Sequence, residues 1–387
     1  MSACESSTCD SNCCQQDANV DNTADVSQKD EVDEEIREAE KILNAFLCYG
    51  LYAREITCRT MMSFKQLSSA HKAIILRSHN DHMRKVIKCV DSNQEVLKKI
   101  ISYGLGVFGQ DFAVKTMRIR QKRRPDPHYM TKVLSTLRQI VREWSVEGKP
   151  ERDATYTPLM EVLRERFPKI DERTAVKIMV PGSGLGRLAF ELAKEGFTVE
   201  GNEFSMIMLM TSSFLLNACF KEDEHTIYPY ALDKSNSWRY DDQTRAVHFP
   251  DLGKSTVDVP PNFAMIAGDF LEVTRSRSSE FDCVVTAWFI DTAKNIIDYI
   301  ETIYRILKPG GFWVNVGPLT YHYEDMVDEV KMSIELPYED VMRIVRLTGF
   351  QIEKEERIIS YYTINRLSML QNQYTCAFFV ASKPHVK

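Results

Sequence analysis

The sequence predicts a doubly wound α/β sheet preceded by a long α-helical region. Three observations carry that expectation. From residue 176 onward, short apolar runs rich in β-branched residues alternate with helical patterns, as in a sheet whose strands are joined by crossover helices. Between the first two runs stands PGSGLG at 181–186, a glycine-rich turn where backbone can approach a ligand closely. Residues 31–170, by contrast, place apolar side chains at three- and four-residue steps with no strand pattern.

Residues 1–30 are Ser, Asp, Asn, Gln and Cys with almost no large apolar residue, and read as a disordered acidic tail. Cys4, Cys9, Cys13 and Cys14 lack paired C-x-x-C spacing and an accompanying histidine, so no metal site is expected there. Amphipathic helices follow over 36–51, 67–90, 93–103, 130–144 and 155–167. His71, His79 and His82 are expected on solvated faces. KTMRIRQKRR at 115–124 holds six bases in ten residues. It reads as a solvated charge run, with nuclear import or a nucleic-acid contact as alternatives. Gln139 and Arg142 are three apart, hence on one face of their helix.

The strands read as 176–180, 197–201, 262–267, 281–290, 312–317, 350–355 and 374–382. Helices are expected at 187–194, 205–220, 295–307 and 336–347, with Met206, Met208 and Met210 as core filler. Residues 221–259 form a long polar insertion, functional or disordered. The division is therefore a tail (1–30), a helical region (31–170) and a sheet domain (171–387) carrying the insertion.

A hydrophobic fraction of 44% and a charged fraction of 27% over 387 residues are those of an ordinary globular protein. No apolar run approaches the roughly 20 residues that a bilayer requires. The N-terminus shows no basic stretch followed by an apolar one, so no secretory signal is expected. Ten scattered cysteines suit reduced thiols in a cytoplasmic protein, and the basic run leaves nuclear entry open. Of the net charge of −6, residues 1–40 carry −10 and the remainder +4. The body is close to neutral, and neither a nucleic acid nor a membrane is expected as partner.

In a doubly wound sheet, polar groups at the strand carboxyl ends converge on one crevice. Gly182 and Gly184 stand there after the first strand, and Glu203 ends the second, where an acid can bond a ribose diol. Asp269 and Phe270 end the third, at the expected place of an adenine, with the carboxylate accepting from its amino group and the ring stacking. The glycine spacing is G-x-G-x-G, and Arg187 stands where a dinucleotide turn has its third glycine. That disfavours a nicotinamide dehydrogenase.

This turn resembles motif I of class I S-adenosylmethionine-dependent methyltransferases, and the helix–KPGG–strand stretch at 308–311 resembles the approach to their fifth strand. More specifically, PGSGLGRLAFELAKEGFTVEGNEFSMIMLM, GDF, FIDTA, GPLTYHYED and LRQIVREWSVEGKPERDATYTPL are similar to the carnosine N-methyltransferase family, over roughly residues 35–385. The resemblance implies a Rossmann-like sheet and S-adenosyl-L-methionine as cofactor, released as S-adenosyl-L-homocysteine, with no metal. It implies methylation of the imidazole Nδ1 of carnosine (β-alanyl-histidine) to give anserine, so the partner is a small dipeptide. By matching motif, Gln139, Arg142, Gly182, Gly184, Glu203, Asp269 and Phe270 would hold the cofactor. Asp291, His322, Tyr362 and Tyr374 would hold the dipeptide. QNQY at 371–374 departs from a family pattern richer in tyrosine.

The chemistry suits Asp291 as the catalytic group. A carboxylate accepting from imidazole Nε2–H fixes the tautomer whose Nδ1 lone pair is free; a helix N-cap is the alternative role. The rival functions are a protein-histidine or small-amine N-methyltransferase and a non-catalytic scaffold. The helical region offers a surface for a homodimer.

Overall fold

The computed structural model describes residues 21–107, 126–253, 259–324 and 333–385. Two long helices, α1 (Asp21–Lys65) and α2 (Ser69–Val107), are followed by α3 (Pro127–Trp144) and α4 (Lys149–Arg166). Then come β1 (Lys177–Pro181), α5 (Arg187–Lys194), β2 (Thr198–Glu203) and α6 (Met206–Ala218). The insertion contributes β3 (His225–Ile227), α7 (Tyr240–Gln243) and β4 (Val247–Phe249). The chain continues through β5 (Phe263–Ala267), α8 (Phe270–Val273), β6 (Phe281–Ala287), α9 (Ile296–Ile306) and β7 (Leu307–Gly317). It closes with α10 (Tyr338–Thr348), β8 (Gln351–Ser360) and β9 (Tyr374–Ser382).

Seven strands form one sheet in the order β5-β2-β1-β6-β7-β9-β8. The first five run parallel, and β9 pairs antiparallel with both β7 and β8. The chain winds outward from β1 in both directions, so a crevice opens at the carboxyl ends of β1 and β6. Side chains alternate between the two faces as the pleat requires. Ile178, Val180, Cys283, Val285, Phe312, Val314 and Phe378 pack with α4 and α5 on one face. Met179, Val284, Trp313 and Phe379 pack with α9 and α10 on the other. α4 thus belongs to the sheet's own core, although it precedes the first strand.

A third core joins α1, α2 and α3 to α6 and to Ile227, Tyr230, Val247 and Phe249 of the insertion. Met210 is 2% exposed within it, with Met206 and Met208 packed alongside. The described part of the insertion is thereby packed in place, its β3–β4 pair docked on the helices.

Four expectations differ from the structure. Residues 21–30, assigned to a disordered tail, are helical within α1; residues 1–20 and the basic run at 115–124 lie outside the described residues. The breaks expected after 90 and before 93 are absent, because α2 is continuous. Asn93, expected at the start of a separate helix, is fully buried inside α2. Its amide donates to the Tyr49 hydroxyl and the Tyr228 carbonyl, both at 2.9 Å, and accepts from Tyr228 N–H. His82, expected in solvent, is buried against Tyr240 and bonded to Gln243. Finally, β7 starts at Leu307 and takes in the KPGG segment, because Gly310 and Gly311 pair with Lys383 beyond β9.

Among the described residues, no helix is long and apolar enough to cross a membrane, and no group of three or more His, Cys, Asp or Glu could hold a metal ion.

Candidate active site

The turn after β1 bends through three left-handed residues, Gly182, Gly184 and Gly186, with φ of 64°, 57° and 83°. Only glycine adopts these readily, and space requires it too. A Cβ on Gly184 would lie 2.9 Å from Glu143 Oε1. The Gly184 N–H donates to Glu203 Oε2 at 2.8 Å, and Glu203 Oε1 accepts the Ser205 N–H at 2.7 Å. Burial pushes the Glu203 carboxyl above its ordinary value, only partly offset by those N–H donors.

α3 supplies the opposite wall. It begins at the Asp126 cap, with Pro127 in its first turn, and its C-terminal end, which carries Gln139, Arg142 and Glu143, is buried all round. Gln139 Nε2 donates to the Tyr362 hydroxyl at 2.5 Å, while its Oε1 is buried with no hydrogen bond among the described residues. The Arg142 guanidinium lies 5.0 Å over the Tyr362 ring and pairs with Glu143 and Glu151. Glu143, whose carboxyl burial also pushes up, accepts the Arg187 N–H at 3.3 Å and so meets the open end of α5. Beyond it, Arg187 and Arg152 converge on Asp251 of the insertion. A buried charge without such partners would cost several kcal/mol.

After β5, the structure changes two expected roles. The Asp269 carboxylate caps α8, its Oδ1 accepting from Leu271 N–H at 2.8 Å and Glu272 N–H at 3.2 Å. That oxygen is already engaged, so an adenine amino group would be left the other one. The Phe270 ring is 2% exposed and sits edge-on to Phe289 and Tyr299, both at 5.4 Å. It belongs to the core under the sheet and does not present a stacking face to a base.

After β6, Asp291 is 2% exposed in a short 3-10 turn (Ile290–Thr292). Its Oδ2 accepts both the N–H (2.9 Å) and the hydroxyl (2.7 Å) of Thr320, just past β7. No bond to Oδ1 is present among the described residues. The cap of α9 is Asn295, so Asp291 is not spent on a helix end. His322 is held by its backbone N–H on the Asp291 carbonyl at 3.1 Å, with its side chain exposed. Tyr374, at the start of β9, lies edge-on to Trp288 at 5.0 Å, and Tyr362 packs on the same indole at 4.8 Å. The Tyr362 ring is 37% exposed while its hydroxyl end, under Gln139, is desolvated, which raises its pKa.

Tyr362, expected on the dipeptide, thus touches both residues of α3 expected on the cofactor. Four further residues belong to the site: Trp288, Thr320, Glu143 and Glu151. Trp288 has φ of 56°, a strained value for a bulky residue and of the kind that gathers at functional sites. Its sequence signal was its place directly before FIDTA. Thr320, Glu143 and Glu151 lie within GPLTYHYED and LRQIVREWSVEGKPERDATYTPL, but nothing in their own spacing singled them out.

The residues fit a zwitterionic, nucleoside-bearing cofactor. Arg142 offers a guanidinium for a carboxylate, the orphaned Gln139 Oε1 and Glu143 offer acceptors for an ammonium, and the glycine cradle would be filled by any Cβ. A mixed sheet of this order, parallel but for β9, with a G-x-G-x-G turn after β1 and an acid at the end of β2, defines a class I S-adenosylmethionine-dependent methyltransferase. The carnosine N-methyltransferase family model matches residues 119–385. A carnosine N-methyltransferase of Rattus norvegicus is 44% identical over 91% of this chain and 88% of its own length. That of Schizosaccharomyces pombe is 37% identical over 90% and 96%, and a Drosophila melanogaster relative is 38% identical over 91% and 81%. The chain belongs to the carnosine N-methyltransferase family.

Proposed function

We propose that the protein transfers a methyl group from S-adenosyl-L-methionine to the imidazole Nδ1 of carnosine, giving anserine. The supporting observation is Asp291: a buried carboxylate at the crevice, one oxygen fixed by Thr320, the other without a described partner. When bound, S-adenosyl-L-methionine supplies an electrophilic methyl group on a sulfonium. Arg142, Gln139 and Glu143 would hold its amino-acid end, and Glu203 its ribose.

Neutral imidazole carries one N–H and one lone pair, and with an ordinary pKa of about 6.5 it is mostly neutral at pH 7. Asp291 accepts Nε2–H, which leaves the Nδ1 lone pair free for the methyl group. As the ring gains positive charge, the same carboxylate stabilises the imidazolium, whose Nε2 proton then passes to Asp291 and on to solvent, leaving the neutral methylated ring. Thr320 locks the carboxylate against rotation, the kind of orientation that supplies several kcal/mol of barrier lowering. Trp288, Tyr362 and Tyr374 supply flat apolar contact, and His322 a polar group at the open side.

The test is mass spectrometry of reactions with carnosine, homocarnosine, free histidine and a histidine-containing peptide. A gain of about 14 daltons on the carnosine ring, one methyl for one hydrogen, with the fragment pattern of anserine, is the expected result. A gain on the peptide alone would replace this reading with a protein-histidine methyltransferase.

A further inference from the structure

Glu151 lies in the first turn of α4, 3% exposed. Its carboxylate is shared between two distant parts of the chain. Oε1 lies 3.1 Å from Arg142 Nε and accepts the Thr363 N–H at 2.6 Å. Oε2 accepts the Ile364 N–H at 3.2 Å. One helical turn on, the fully buried Thr155 places its hydroxyl 2.8 Å from Ser360 Oγ and takes the Trp288 indole N–H at 3.4 Å. Residues four apart share a helix face, so α4 grips the chain on both sides of Tyr362. Ser360 is held before it, Thr363 and Ile364 after it. Thr363 has φ of 50°, a conformation a β-branched residue keeps only where its surroundings impose it.

We propose that Glu151 is a positioning residue: one carboxylate sets Arg142 on the cofactor side and Tyr362 on the acceptor side, so the two subsites are assembled together. This rests on the carnosine reading above. Through Glu151 the loop that carries Tyr362 is tied to α3, and Tyr362 reaches back to α3 through Gln139 and Arg142. A carboxylate that merely held the fold would affect stability without a selective effect on either ligand.

The experiment uses the full chain and calorimetric titration. Carnosine is titrated into protein saturated with S-adenosyl-L-homocysteine, and S-adenosyl-L-homocysteine into free protein. Glu151→Gln keeps the shape and loses the charge and one acceptor facing the loop N–H groups. Carnosine affinity is expected to weaken about tenfold, the scale of one charge-assisted hydrogen bond, with KM for carnosine rising in step and kcat changing less. In that background Tyr362→Phe should add far less than its own single-variant loss, because the two act through one arrangement. Unchanged carnosine affinity with a lowered thermal midpoint, or losses that multiply in full, would overturn the proposal. If Glu151→Gln does not fold, Glu151→Asp keeps the charge beside Arg142 but draws it back from the loop. It is expected to show the same carnosine loss, and wild-type affinity there would overturn the proposal equally. The S-adenosyl-L-homocysteine arm needs no acceptor. Wild-type protein that binds it but ignores carnosine would sink the carnosine reading, while unchanged affinity in Glu151→Gln would sink the link to Arg142.

Discussion

On the proposed cofactor side of the crevice, Arg142, Glu143, Arg152 and Arg187 are 5% exposed or less, and each finds an opposite charge or a backbone donor. On the acceptor side, one buried carboxylate, Asp291, stands among aromatic rings, with Tyr362 37% exposed and His322 open to solvent. Buried charges are tolerable only when paired and fixed, so the first half must be built almost completely before ligand arrives. Aromatic contact demands shape and little else, so the second half can stay partly open. The contrast suits a constant cofactor on one side and an acceptor read through a single hydrogen bond on the other.

The sharpest way to break this contrast is Asp291→Ala. Turnover should fall about a thousandfold, within the range for a positioned catalytic group, while calorimetry finds cofactor affinity within about twofold. Equal losses in both would mean that Asp291 serves the whole crevice. Arg142→Lys tests the other side. Loss of the planar guanidinium, and of its stacking on Tyr362, should weaken S-adenosyl-L-homocysteine about thirtyfold.

Glu203→Gln separates charge from shape. Burial raises the folded-state carboxyl above 4.5, so the folded protein holds this proton more tightly than the unfolded chain. The stability it contributes is present below the ordinary carboxylate value and is lost as pH rises through the folded value. The thermal midpoint of the free protein should therefore fall as pH is raised above about 4.5, and fall less in Glu203→Gln. An identical pH slope in the two proteins would refute the assignment. The same variant should weaken the cofactor about tenfold through its ribose. The smallest effect is expected of Trp288→Phe, which keeps a ring and loses the indole bond to Thr155. KM for carnosine should rise about threefold with cofactor affinity unchanged.

The order of strands and helices was legible because burial on both faces of a parallel sheet leaves continuous apolar runs. The expected strands of the main sheet all exist, and only their ends moved. The positions of the glycine turn, Glu203, Asp269 and Asp291 at strand ends were legible beside that pattern, but the capping role of Asp269 was not. Phe270 was misread: an aromatic after an acid at a strand end fits a stacking ring and a core ring equally, and only its contacts with Phe289 and Tyr299 decide. The break expected between 90 and 93 is absent, and Asn93 is held inside α2 by Tyr228, a partner far along the chain.

The sequence by itself determined the doubly wound sheet, the position of the glycine turn and the family, because these depend on periodicity and local spacing. Only the tertiary structure decided that α4 belongs to the sheet's core, that the insertion anchors Arg152 and Arg187, and that Tyr362 meets Gln139 and Arg142 across more than two hundred residues. Glu143, Glu151 and Thr320 joined the site the same way. Their roles are pairings between segments distant in sequence, and such pairings leave no period to read; the physical cause is that a buried charge or donor takes whichever partner the fold brings within about 3 Å.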